Sequence, residues 1–255
     1  MIERKTLQAG ALVVTPVQRI DHVWVKRDDL YHVAGVNGGK ARACWVLSQG
    51  APGLVSGGSR VSPQIVIVAS VAKALGVPCE VHSARGKTLL PNQEHAVALG
   101  AQLVQHRVGH LNVVEYRAKA RAAALGWRFI PFGMADAAVV GLTARQVVNV
   151  PEEARRIVVP VGSGLSLAGV LIGLQFIGRV VPVLGVVVGR DPARLLNKFA
   201  PQSWGSVVKL VCAEGAYNVP VAGVLGSVAL AGLYEAKCLP FLQSGDLLWV
   251  VGADI

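Results

Sequence analysis

The sequence predicts an α/β fold of two parallel-sheet, three-layer subdomains, and three observations point to it. Short, Val-rich apolar runs recur along the chain, with the continuous apolar character of strands covered on both faces. Between them lie segments with helical spacing, so strand and helix signals alternate as in βα units. Gly76, Gly100 and Gly126 follow three of the helical segments, where a helix C-cap belongs.

In chain order, the run at 23–26 reads as a strand, and 41–48, preceded by two glycines, as a helix. Strand 53–56 runs through Ser56-Gly57-Gly58 to helix 63–75, where Pro63 suits the first helical position. Strand 79–82, helix 93–99, strand 102–106, helix 112–125 and strand 128–131 continue the alternation. Beyond them come helix 137–148, strand 157–161, helix 166–177, strand 183–188, helix 192–199 and the strands 207–212 and 247–251. The four strands between 53 and 131 form a compact smaller domain, residues 41–135; residues 1–40 and 136–255 form the larger one.

Hydrophobic residues make up 53% of the 255 residues, so a membrane protein is the first class to exclude. A spanning helix needs about 18 uninterrupted apolar residues; the run at 180–188 is short and broken by Pro182 and Gly185. Met1-Ile2-Glu3-Arg4-Lys5 leads into no apolar signal segment. Cys44, Cys79, Cys212 and Cys238 are far apart without metal-type spacing, which predicts a reducing, cytoplasmic setting and no zinc site. With 25 Lys and Arg against 15 Asp and Glu, the net charge is +10. A solvated basic surface or a phosphate-bearing ligand accounts for it, and so does a polyanionic partner.

Four segments carry candidate chemistry. Val25-Lys26-Arg27-Asp28-Asp29-Leu30 is followed by Asn37-Gly38-Gly39-Lys40 and a helix. A lysine at a helix start meets backbone amides and the positive end of the dipole, which disfavours ammonium and favours an amine nucleophile. Taken alone, a solvated surface lysine is the commoner case. The strand at 157–161 runs into Gly162-Ser163-Gly164-Leu165-Ser166 and a helix, an arrangement whose N–H groups can cradle phosphate. It lacks the Lys-Ser/Thr ending of a P-loop. Ser56 to Gln64 offers hydroxyls and amides for a carboxylate, or simply a capped turn with Ser62 as N-cap. Gly215-Ala216-Tyr217-Asn218-Val219-Pro220 and Leu233-Tyr234-Glu235-Ala236-Lys237 bring two tyrosines and a carboxylate late in the chain, and by themselves these fit a core or a surface equally well.

Together, and in this order, these segments resemble the 1-aminocyclopropane-1-carboxylate (ACC) deaminase and D-cysteine desulfhydrase family of fold-type-II, tryptophan-synthase-β-like enzymes. The resemblance covers about residues 22–254. It implies pyridoxal 5′-phosphate (PLP) in the cleft between the two subdomains, with Lys40 as the Schiff-base lysine and proton shuttle. It further implies Asn37 and the loop Gly162, Ser163, Gly164, Leu165 and Ser166 as cofactor-binding, and Glu235 facing the pyridine nitrogen. Ser62 would hold the substrate carboxylate, and Tyr217 and Tyr234 would move protons. This chain departs from the family pattern at Pro63 and Gln64, which stand for Asn and His, at Leu165 for a glycine, at Ser166 for threonine, and in a shortened interval between Tyr217 and Tyr234.

The implied activity is a PLP-dependent lyase, of decarboxylase or deaminase type, that generates a carbanion at the α-carbon of an amino-acid group. Basic residues at Arg117, Lys119, Arg121 and Arg128, and at Arg190, Arg194 and Lys198, add the expectation that this group is carried on DNA. Hypermodified thymidine in phage DNA, processed in the host cytoplasm, is such a setting. The alternatives are a free amino-acid lyase resembling ACC deaminase or D-cysteine desulfhydrase, and a non-catalytic PLP-fold binding protein. A homodimer without membrane contact is expected in each case.

Overall fold

The computed structural model describes residues 13–107 and 109–252. The N-terminal segment with Met1 to Lys5, Val108, and the chain from Ala253 lie outside the described residues. Two compact units emerge, one up to Tyr31 and from Ala135 onwards, the other His32–Met134.

The larger unit opens with β1 (Val17–Ile20) and β2 (Val23–Arg27), an antiparallel pair. In the smaller unit a two-residue pair, β3 (His32–Val33) and β4 (Val36–Asn37), leads into α1 (Gly38–Ser48). Then follow β5 (Leu54–Gly57), α2 (Gln64–Leu75), β6 (Cys79–Ala84), α3 (Pro91–Ala98), β7 (Gln102–His106), α4 (Leu111–Leu125) and β8 (Arg128–Ile130). The strands form an all-parallel sheet in the order β7-β6-β5-β8. Alternation along β5 sends Val55 and Gly57 to Ala118 on α4, while Ser56 bonds Gln64 on α2 from the other face. Helices on both faces of a parallel sheet are the expected three layers. Gly76 and Gly126 take the left-handed C-cap conformation, with φ near +67° and +68°.

The division falls at Tyr31/His32, so the stretch 32–40 lies with the smaller unit and not, as the sequence suggested, with the larger. The reason is local. Gly38 and Gly39 form the first turn of α1, which packs on α2 and carries the β3–β4 pair with it.

The larger unit continues with α5 (Ala137–Arg145), β9 (Arg156–Val161), α6 (Leu165–Phe176), β10 (Val183–Val187), α7 (Ala193–Phe199), α8 (Trp204–Val207) and β11 (Val208–Cys212). A short hairpin, β12 (Val224–Leu225) with β13 (Val228–Ala229), precedes a 3-10 helix at Glu235–Phe241 and β14 (Asp246–Val250). The sheet order is β1-β2-β14-β9-β10-β11, parallel except for β1. One face packs Ile157, Val159, Leu247 and Trp249 against Leu167, Leu171 and Leu174 of α6. The other packs Val158, Leu184, Val186 and Leu248 against Val228, Leu230 and Ala236. Burying one such aliphatic side chain contributes roughly 1.5–3 kcal/mol, which draws the Val-rich runs to the sheet centre.

The Lys26–Leu30 motif has a structural use here. Lys26 is buried, and its Nζ donates to Thr15 O and Asn149 Oδ1, both at 2.7 Å. Asp28, also buried, accepts from Thr15 Oγ1 at 2.7 Å and from Trp249 Nε1 at 3.2 Å. Buried polar groups need such partners: Lys26 ties β2 to Thr15 and Asn149, and Asp28, just after β2, is tied to Trp249 of β14. No helix among the described residues is long and apolar enough to cross a membrane.

Candidate active site

In the larger unit, candidate residues collect at strand ends. After β9 the chain turns through Gly162-Ser163-Gly164 into α6. Gly164 has φ +93°, in the left-handed region that favours glycine, and an added Cβ would lie 2.9 Å from Pro192 Cβ. An added Cβ at Gly162 would lie 3.0 Å from Cε1 of Tyr234. Close packing thus leaves the turn as bare backbone. Ser163 Oγ accepts from Leu165 N at 3.5 Å, and Leu165 itself is buried. The first N–H groups of a helix have no acceptor within it, and the helix dipole adds positive potential. Gly162 to Ser166 therefore has the form of an anion cradle.

Tyr234 lies beside that turn. Its hydroxyl is 2.8 Å from that of Tyr217, and the rings meet edge-on. Burial pushes the Tyr234 phenol above its ordinary value; the Tyr217 hydrogen bond opposes this and the Glu235 charge adds to it. Tyr234 is therefore protonated at neutral pH. Glu235 is buried, and its Oε1 accepts from Val251 N at 2.6 Å and Gly252 N at 3.1 Å, just past β14. Lys237 Nζ donates to Ala216 O at 2.8 Å and fixes the turn that bears Tyr217. The β12–β13 hairpin spans the shortened interval, and the two tyrosines meet across it.

In the smaller unit, Lys40 is half-buried in the first turn of α1. Asn37 is exposed, and its Oδ1 contacts His32 Nδ1 across the β3–β4 pair. Ser62 is buried and its Oγ accepts from Gln64 N at 3.3 Å, but α2 starts at Gln64 with Pro63 as its N-cap residue and no side-chain cap bond, so Ser62 closes the turn one residue before the cap and is not the cap itself, as the sequence suggested; its hydroxyl hydrogen remains for another acceptor.

Sequence reasoning missed several polar residues whose contacts are long-range. Gln64 donates from Nε2 to Ser56 Oγ at 2.9 Å and Pro131 O at 3.0 Å, and its Oε1 accepts from Gly133 N at 2.8 Å. The departure from the family pattern at this position was its one signal. A second group joins β6, β7 and α4. Arg117 Nη1 lies 3.3 Å from His106 Nδ1, and His106 Nε2 lies 2.9 Å from His82 Nδ1. His82 Nε2 faces Glu80 Oε2 at 3.6 Å, and Arg121 donates to both Glu80 oxygens. Arginine only donates, so His106 Nδ1 must accept. The remaining protons then follow in one direction towards Glu80, with both imidazoles neutral.

Burial pushes the Cys44 and Cys79 thiols up to about 12 and that of Cys238 higher still, so none of the three is a nucleophile at neutral pH. Among the described residues no group of three or more His, Cys, Asp or Glu could hold a metal.

No protein-family model and no curated protein matches the chain. Solved structures do. An ACC deaminase homologue is 22% identical with a TM-score of 0.78, over 94% of this chain and 89% of that one. A T.th. threonine deaminase is 16% identical, TM-score 0.65, over 98% of each chain. A PLP-dependent aspartate racemase is 12% identical, TM-score 0.62, over 99% of this chain and 95% of that one. At these identities the likeness defines the architecture: the chain has the fold of the fold-type-II PLP enzymes.

Proposed function

We propose that the protein is a PLP-dependent lyase, of deaminase or decarboxylase type, acting at the α-carbon of an amino-acid group. The observation that carries this reading is the Glu235 carboxylate, pinned by two backbone N–H groups and adjoining the Tyr217–Tyr234 pair in the unit that holds the Gly162–Ser166 cradle. Bound PLP supplies an electron sink for the pair left by a broken α-carbon bond. The cradle suits its phosphate, because it presents N–H groups and has no side chain at Gly162 or Gly164. Glu235 places negative charge where a protonated ring nitrogen is stabilised. Lys40 would hold the cofactor, and its amine would be able to move a proton at the α-carbon. Tyr234 donates a proton and Tyr217 replenishes it. Ser62 would hold the substrate carboxylate, and Asn37 would add a cofactor contact.

The related folds include deaminases and a racemase, so the reading rests at the level of α-carbon chemistry. A second reading, with the amino-acid group carried on DNA such as the hypermodified thymidine of a phage, is favoured by one observation. Arg190, Arg194 and Lys198 are exposed around Pro192, the residue that packs on Gly164. The test is turnover by the purified, PLP-loaded protein, read by mass spectrometry on free amino acids and on DNA bearing amino-acid-modified bases. Faster conversion of the free amino acids refutes the DNA reading. A visible PLP band with no turnover of either class refutes the lyase and leaves a binding protein.

A further inference from the structure

In the smaller unit, the turn proposed above to grip a substrate carboxylate is held from outside by a different segment. Ser59 O accepts from Ser62 N at 3.0 Å, and Gly58 N donates to His82 O at 3.0 Å. Across from it, Arg60 reaches the segment after β6: its Nη2 donates to Thr88 O and its Nε to Gln93 Oε1 at 3.3 Å. Asn92 Nδ2 returns a bond to Val61 O at 3.0 Å. Gln93, buried, is itself fixed, accepting from Leu90 N at 3.0 Å and donating to Ser83 Oγ at 2.7 Å. The guanidinium also fills the place where a side chain at Gly86 would begin, since an added Cβ there would fall on its carbon. Position 86 is kept bare for Arg60, and Gly86 has no left-handed φ to explain the glycine otherwise.

We infer that Arg60 is a positioning residue: it latches the Ser59–Ser62 turn to the 86–93 segment and so presets the Ser62 hydroxyl for a substrate carboxylate. A bare turn of small residues samples many conformations, and each must be given up when a ligand binds. Two crossing bonds from Arg60 and one from Asn92 remove that freedom beforehand. The latch lies outside the proposed cofactor contacts, so it affects substrate binding and leaves cofactor binding alone. The inference rests on the proposed function for the identity of the ligand, whereas the latch itself does not.

Two variants break it independently. Arg60→Ala removes the guanidinium, and Gly86→Ala displaces it while leaving Arg60 and the turn in sequence. Hydrogen–deuterium exchange of the cofactor-free protein should rise at 58–62 in both variants, with strand β6 unchanged. In PLP-loaded protein both should weaken binding of L- or D-serine, read as a shift of the cofactor band, by about tenfold, with the PLP dissociation constant unchanged. Arg60→Lys, able to reach one acceptor, should fall between wild type and Arg60→Ala. Unchanged exchange in both variants overturns the latch. Raised exchange with unchanged serine affinity overturns its positioning role, and no serine shift in PLP-loaded wild type overturns the carboxylate assignment. A wild-type protein that takes up no PLP overturns the proposed function, while the exchange result still decides the latch.

Discussion

Replacing Glu235 by Gln and by Ala separates what its charge does from what its bonds do. Oε1 accepts two backbone N–H groups, at 2.6 and 3.1 Å, from Val251 and Gly252. A bond to a charged group contributes roughly 1.5–3 kcal/mol, and a donor left unpaired in the interior adds its own cost. Glu235→Ala removes both bonds and should lower the unfolding free energy by about 4 kcal/mol. Glu235→Gln retains a carbonyl oxygen in the same place and should cost about 2 kcal/mol, the difference between charged and neutral acceptors over two bonds. Urea unfolding of the cofactor-free proteins measures both values. If Glu235 balances the charge of a protonated ring nitrogen, Glu235→Gln should still bind PLP yet slow the chemical step about a hundredfold, as expected for loss of one electrostatic contact at a reacting centre. Equal destabilisation of the two variants would refute the bonding argument. Unchanged turnover in Glu235→Gln, with chemistry shown to be rate-limiting, would refute the charge argument.

Other outcomes follow from the same geometry. Borohydride reduction of the PLP-loaded protein should fix the cofactor to the peptide with Lys40, and Lys40→Ala should lose the visible band; labelling of Lys26 or Lys237, whose amines are bonded to Thr15 O and Ala216 O, would show the site assignment wrong. His82 and His106 are both pushed below their ordinary value, chiefly by burial, and then by the charges of His106 and Arg117 respectively. The unfolded chain then binds protons first, so their contribution is intact above about pH 6.5 and lost as pH falls through the lower folded values; His106→Gln should flatten the fall in Tm between pH 7 and 5, and an equally steep fall would contradict this. If DNA carries the substrate, affinity should fall with salt at a log–log slope of about −0.9 per phosphate contacted. Replacing Arg190, Arg194 and Lys198 by Gln should flatten that slope, and a slope that stays the same excludes this surface.

Elements with a long enough pattern were legible in the sequence. The β7 strand was read to the residue, because Gln102–His106 is bounded on both sides by turn signals. Helix α1 begins three residues before the predicted start, since Gly38 and Gly39 carry no helical signal and only Lys40 and the apolar residues after them do. The segment predicted as one helix at 137–148 is α-helical to Arg145 and 3-10 from Gln146 to Asn149. Strands of two residues, such as β3, β4, β12 and β13, show no alternation to detect, and β1 escaped for lack of a buried face. The strand–turn–helix form of the Gly162–Ser166 cradle was legible because its parts are contiguous in sequence, whereas Glu235 was singled out only by the family resemblance. Arg60, Gln64 and His82 were not, because their partners lie far along the chain and only the folded sheet unites them.

The position of β14 has a consequence for how the chain acquires its structure. This late strand sits between β2 and β9, near the middle of the larger sheet. On a growing nascent chain, β2 must therefore wait for more than two hundred intervening residues before its parallel neighbour exists; Val25 pairs with Leu248. Until then β2 and β9 each expose an unsatisfied edge, the kind of surface that recruits foreign strands. The smaller unit has all four strands of its parallel sheet in hand by Ile130 and is free to fold vectorially while the rest emerges. The larger unit must close last, by inserting a strand into a gap held open between two partners, which makes slow, non-local closure its vulnerable moment.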